Sequence, residues 1–89
     1  MEMSDEVVAD VRTRLRRVAG QVQGIERMLE EGRDCRDVVT QLSAATKALE
    51  QAGFRLVAAR LTCCLEDPEA AEAEGYSLPE VEKLFMKLT

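Results

Sequence analysis

Eighty-nine residues, 46% apolar and 3% aromatic, with no tryptophan and no histidine, describe one small domain built mainly from Ala, Val and Leu. That is helix-bundle composition, and no apolar run approaches the roughly 18 residues that span a bilayer. The net charge of −5 at first counts against nucleic acid, but residues 66–82 hold seven acids and no base, which leaves twelve bases against ten acids in the rest of the chain.

The absence of histidine removes the commonest nitrogen ligand for a soft metal. Three cysteines, an odd number, argue against a structural disulfide framework. With no signal-peptide pattern at the N-terminus, the expected compartment is the cytoplasm, where thiols stay reduced. A chain of this length is near the size at which one core is marginal, so association is the natural way to bury more apolar surface.

Ser4, followed by Asp5 and Glu6, predicts a helix start with acids in its first turn. Val8, Val11, Leu15, Val18, Val22, Ile25 and Leu29 then recur at steps of three and four, the seam of a helix packed lengthwise on another. Helix 1 is predicted over about 5–31, with Gly32 ending it. Gly20 and Gly24 lie inside it, each costing about 1 kcal/mol relative to Ala. Close approach of another helix is the simplest reason for them; approach to DNA or to a partner subunit is the alternative.

Asp34 is a candidate N-cap with Asp37 three residues on, resembling a capping box. Helix 2 is predicted over about 35–65, with Cys35, Val38, Val39, Leu42, Ala45, Leu49, Ala52, Leu56 and Cys63 on one side. Pro68 disfavours its continuation. Residues 66–77 read as an acidic, Ala-rich, partly helical connection ending in Gly75-Tyr76-Ser77. A short third helix follows at about 78–88, with Ser77 as cap, Pro79 in the first turn and Glu80 at the box position. Val81, Leu84, Phe85 and Leu88 form its apolar face. The expected fold is all-α: two long helices in an antiparallel hairpin, a short C-terminal helix, and two hairpins joined as a four-helix bundle.

The run Arg14-Leu15-Arg16-Arg17-Val18-Ala19-Gly20-Gln21-Val22-Gln23-Gly24-Ile25 resembles the first-helix signature of the CsoR family of copper-sensitive operon repressors and their nickel-, formaldehyde- and persulfide-sensing relatives. Cys35 with Asp37-Val38-Val39-Thr40-Gln41-Leu42-Ser43-Ala44 resembles the start of that family's second helix. The resemblance covers about residues 11–65. It implies an antiparallel four-helix dimer, a dimer-of-dimers tetramer, and a repressor that leaves operator double-stranded DNA when an inducer binds. It implies no cofactor and no enzymatic turnover.

Copper sensors of the family pair a Cys at the start of helix 2 with a His and a second Cys, four residues apart, late in helix 2 of a neighbouring protomer. The matching cysteines here are Cys35 and Cys64, but the His position is Arg60. Arg is always charged and does not ligate metals. This departure resembles the persulfide-sensing, CstR-like branch, so no metal site is expected. The formaldehyde branch needs an N-terminal Pro where this chain has Glu2, and the nickel and cobalt sensors need histidines.

Cys35 falls in the first turn of helix 2, where unpaired N–H groups favour thiolate. Arg33 and Arg36 act in the same direction; Asp34 and Asp37 oppose. Arg60, one turn before Cys64, is expected to support that sulfur. Cys63 is in sevenfold register with Leu42, Leu49 and Leu56 and reads as a small core residue, or else an auxiliary thiol. Cys64, one position off the seam, is expected to face a neighbour. Twenty-nine helical residues separate Cys35 from Cys64 by about 43 Å, so they meet only between subunits.

The expected chemistry is attack by one thiolate on the sulfane sulfur of a persulfide or polysulfide, then bridging by the other as a di-, tri- or tetrasulfide. For DNA, Arg14, Arg16 and Arg17 match the family's basic patch, with Arg12 and Lys47 as weaker candidates. Two other readings compete: a Cu(I) sensor using Cys35, Cys64 and Cys63, and a helical interaction module without DNA binding.

Overall fold

The computed structural model describes residues 3–89, so Glu2, the residue that departs from the formaldehyde branch, lies outside the described part. Its elements are α1 (Asp5–Glu30), α2 (Cys35–Glu66), α3 (Pro68–Ala73) and α4 (Leu78–Leu88). The described chain is an elongated body 54 × 25 × 14 Å.

Each boundary has a local cause. The Val7 amide donates to Ser4 Oγ at 3.2 Å, giving α1 the N-cap that its sequence predicts. At its end Gly32 takes φ +69°, the Gly32 amide donates to the Leu29 carbonyl, and the Arg33 amide reaches back to Met28. This is a Schellman turn, which needs the left-handed conformation that glycine supplies without strain. The Arg36 amide donates to Asp34 Oδ1 at 2.8 Å and caps α2. Asp37 does not complete a capping box; it pairs with Arg33 at 3.8 Å.

Asp67 both ends α2 and begins α3, its carboxylate accepting from the Ala70 amide, with Pro68 in the first turn where a missing N–H is harmless. The acidic connection, expected to be partly helical, contains a helix of its own, and the described residues form four helices rather than three. Ser77 occupies the N-cap position of α4, but its side chain makes no capping bond, and Glu80 pairs with Lys83 at 3.2 Å.

α1 and α2 run antiparallel. Val7 and Val11, near the start of α1, pack with Ala52, while Ile25, near its end, packs with Val38 and Ala45. The expected seam splits here into two stripes. Val11, Val18 and Ile25 on α1 and Val38, Ala45 and Ala52 on α2, each spaced by sevens, form the core between the helices. Val8, Leu15, Val22 and Leu29, with Leu42, Leu49 and Leu56, are spaced the same way but exposed. Among the described residues no leucine is buried. The hairpin closes with valine, alanine and one isoleucine and leaves its leucines outside.

Gly20 and Gly24 lack the close neighbour expected of them: a Cβ at either position meets nothing within 4 Å. Gly53 does have such a neighbour. A Cβ there would lie 2.7 Å from Leu88 Cδ2, so glycine lets α4 settle against α2. Phe54 and Phe85 join the same two helices, with ring centroids 5.5 Å apart and planes tilted by 46°. Among the described residues no helix is long and apolar enough to cross a membrane.

Candidate sensing site and basic face

α2 is a single helix of 32 residues with Cys35 as its first residue and Cys64 two residues from its end. Both thiols therefore sit on one rod, and the separation of about 43 Å holds. At the first end Cys35 is exposed. The charges around it pair with one another: Arg36 Nε with Asp34 at 3.4 Å, and Arg33 with Asp37 at 3.8 Å. Such exposed pairs contribute little to stability.

The far end of α2 is covered. Gly53, Arg60 and Cys64 are spaced by seven and four and share one face. α3 and α4 pack on α2 at this end. Cys64 is 7% exposed, with Ala71 of α3 and Val81 of α4 also buried. Cys63, which the seam marks as a core residue, is only half-buried. It lines a groove of about 470 Å³ with Met3, Val7, Arg55, Ala59 and Arg60. The two neighbours thus exchange the environments expected of them. Register places Cys63 with Leu42, Leu49 and Leu56 correctly, but that stripe is the bare one.

Arg60 is held by the C-terminal segment. Its guanidinium carbon lies 4.0 Å from the Tyr76 ring centroid, and Nη1 is 3.5 Å from Glu74 Oε2. The side chain is 13% exposed. A cation over an aromatic face in such partly desolvated surroundings contributes about 0.5–2 kcal/mol. A second Schellman turn builds the contact: Gly75 takes φ +85°, the Gly75 amide donates to Glu72 and the Tyr76 amide to Ala71. That turn reverses the chain after α3 and brings Tyr76 back over α2. Tyr76 and Glu74 are not among the candidates that the sequence suggests. The Gly75-Tyr76 pair after an Ala-rich acidic stretch is the available signal, and it depends on recognising α3.

On α1, Arg14 Nε donates to Asp10 Oδ1 at 3.2 Å, and Arg55 Nε from α2 donates to Asp10 Oδ2 at 3.0 Å. Partial burial pushes the Asp10 carboxyl up, but the hydrogen bond from Arg55 and the charge and hydrogen bond of Arg14 outweigh it and hold it below its ordinary value. Arg14 is thus part of the hairpin clasp. Arg12, Arg16, Arg17 and Lys47 are exposed, and among the described residues no carboxylate pairs with them. The register set by Val11 with Ala52 and Ile25 with Val38 puts Lys47 level with Arg16 and Arg17 along the hairpin. Among the described residues of one chain, no group of three His, Cys, Asp or Glu side chains comes together to hold a metal ion.

Comparison with known proteins gives this geometry its context. The profile of the family described as metal-sensitive transcriptional repressor matches residues 8–87. The chain belongs to this family. It is a family of regulators, not of enzymes, and is the CsoR family that the helix-1 and helix-2 runs resemble.

This CsoR-family chain is 50% identical over 62 residues to the copper-sensing transcriptional repressor RicR of Mycobacterium tuberculosis, covering 70% of the chain and 62% of the relative. It is 30% identical over 79 residues to the copper-sensing transcriptional repressor CsoR of Bacillus subtilis, covering 89% of the chain and 78% of the relative. It is 35% identical over 86 residues to CsoR of Mycobacterium tuberculosis, covering 93% and 70%. The chain thus spans less than two thirds of the length of RicR. No solved structure matches the chain.

Proposed function

We propose that this CsoR-family chain is an operator-binding repressor switched by reactive sulfur, through a bridge between Cys35 of one protomer and Cys64 of another. The observation that carries this reading is Arg60. It stands four residues before Cys64, where the copper sensors' pattern has His, and its cation is engaged by Tyr76 and Glu74. Two thiols remain, with a fixed positive charge where a metal's third ligand would be. The residues present do not fit a trigonal Cu(I) site.

The bare stripe of Val8, Leu15, Val22, Leu29, Leu42, Leu49 and Leu56 supports assembly of two hairpins as a four-helix dimer, and of dimers as a tetramer. Antiparallel pairing of two α2 helices brings the start of one near the end of the other. Exposure favours Cys35 as first nucleophile. Its thiolate attacks the terminal sulfur of an organic persulfide, forming a Cys35 persulfide and releasing the organic thiolate. The Cys64 thiolate of the second protomer then attacks the inner sulfur, forming the disulfide and expelling hydrosulfide. If Cys64 is itself persulfidated, attack by the Cys35 persulfide anion on its inner sulfur gives a trisulfide with the same leaving group. Bridging selects an assembly that fits the operator poorly.

DNA contact falls to Arg16, Arg17 and Lys47, with Arg12 beside them and Arg14 contributing less because it is tied to Asp10. Phosphates supply most of the affinity and duplex shape much of the preference. A second reading is Cu(I) response, favoured by the copper-sensing names of the relatives. The two thiolates suit a linear, weakly held Cu(I).

The deciding experiment treats reduced protein with an organic persulfide or with Cu(I) under chelator competition, measuring operator binding and intact mass on the same sample. Release with a covalent dimer carrying the expected mass supports sulfur sensing. Release by stoichiometric, chelator-resistant Cu(I), with persulfide inert, overturns it.

A further inference from the structure

The reading above asks Cys64 to react with another chain, yet Cys64 is among the least accessible side chains of its own protomer at 7% exposure. Its cover is the C-terminal segment, whose α3 and α4 pack on this end of α2. It joins α2 through Asp67 alone, a residue with φ −141° and ψ 78° that belongs to neither helix. α3 has six residues, too few to be stable without support.

Besides the Phe54–Phe85 contact, two anchors hold the segment to the Gly53–Arg60–Cys64 face of α2. Leu88 sits on the bare backbone of Gly53. Tyr76 and Glu74 take the Arg60 guanidinium between them.

We propose that residues 68–88 form a hinged strap over Cys64, with Asp67 as its hinge and the Arg60–Tyr76–Glu74 contact as its latch, so that Cys64 reacts only when the strap lifts. The proposal rests on Cys64 being a sensing thiol only for its biological meaning; the strap itself rests on burial and contacts. It gives Arg60 a task apart from tuning sulfur: holding the cover shut. Short helices and a single hinge are the marks of a unit that opens before the hairpin unfolds, although Ala71 and Val81 within it are buried. Part of the latch is an ion pair at a partly exposed site, so salt weakens it.

The test is the rate of alkylation of each thiol by N-ethylmaleimide in the reduced full chain, read by peptide mass spectrometry. In the unaltered protein Cys35 should react at least roughly tenfold faster than Cys64, as expected when one thiol is open and the other needs local opening. Tyr76→Ala and Glu74→Gln should each raise the Cys64 rate several-fold and leave the Cys35 rate and the helical circular dichroism unchanged. Gly53→Ala should do the same from the other anchor by displacing Leu88.

Equal rates at Cys35 and Cys64 in the unaltered protein, or a Cys64 rate indifferent to all three substitutions, would overturn the strap. The alkylation uses no persulfide, so the two readings fail separately. A strap that opens as described in a protein whose operator binding ignores persulfide leaves the strap standing and removes the sulfur-sensing function.

Discussion

The two ends of α2 carry the same chemical group in opposite settings. At the Cys35 end the thiol is exposed on the first turn, among charged side chains that pair with one another. At the Cys64 end the thiol is buried, and the neighbouring cation is engaged by residues of a later segment. One helix thus offers an open thiol and a guarded one. Under the proposed sulfur switch the pair divides labour: one sulfur meets the reagent and the other resolves the product. Two equally open thiols would each be modified singly and would form a bridge less selectively.

The largest expected effect comes from deleting either end. Cys35→Ser and Cys64→Ser should each keep operator binding but lose both the covalent dimer and its release by persulfide, seen by non-reducing electrophoresis and a DNA-binding assay. Cys63→Ser should still respond. A bridge running mainly through Cys63 would break the comparison, since Cys63 is the more accessible of the adjacent pair.

Next is the bare stripe, the surface proposed to bring opposite ends together. Leu42→Asn with Leu49→Asn should convert the assembly to monomer in sedimentation. Each leucine buried at an interface contributes about 1.5–3 kcal/mol. The covalent dimer should disappear in the same variant although both thiols remain. A stable, folded monomer of the unaltered chain at micromolar concentration would show that the bare stripe has another use.

The same contrast of open and engaged groups exists among the arginines of α1. Arg16→Ala and Arg17→Ala should weaken operator binding and lower the slope of log affinity against log salt by about 0.9 for each phosphate no longer neutralised. Arg14→Ala should do so less, because its guanidinium is shared with Asp10. Equal effects from all three would mean that the Asp10 clasp opens on DNA.

The smallest effect belongs to that clasp. The folded-state pKa of Asp10 lies below the ordinary 3.8, so its contribution is present at neutral pH and is lost as pH falls through the folded value. Asp10→Asn should lower Tm slightly at pH 7, and the difference from the unaltered chain should shrink as the pH falls below 3.8 and through the folded value.

Helix positions are legible because caps are local. Ser4, Asp34 and Gly32 each do what their residue type predicts. α3 shows in the sequence only as a partly helical connection, because Asp67-Pro68 reads first as the stop of one helix, and the same pair is also the start of another. The reversal at Cys63 and Cys64 has a different origin. A sevenfold period shows which residues share a stripe, but not whether that stripe meets its own chain or another. Two parallel stripes on each long helix satisfy the same period, and the hairpin closes on the one made of valine, isoleucine and alanine. The grip on Arg60 lies further from view, since it depends on a turn at Gly75 that returns the chain over a residue 14 positions before Glu74 and 16 before Tyr76.

The unbroken length of α2 has a kinetic consequence. In the proposed two-fold pair each helix gives Cys35 to its partner at one end and receives at Cys64 at the other, so two bridges form about 43 Å apart. Each bridge needs its own persulfide equivalent, but once the second Cys35 carries one, its resolution by the facing Cys64 is intramolecular and governed by effective concentration. On the way out, a reductant that cuts one bridge leaves the other as a splint that keeps the two chains joined, so the pair parts only after two reductions, one at each end.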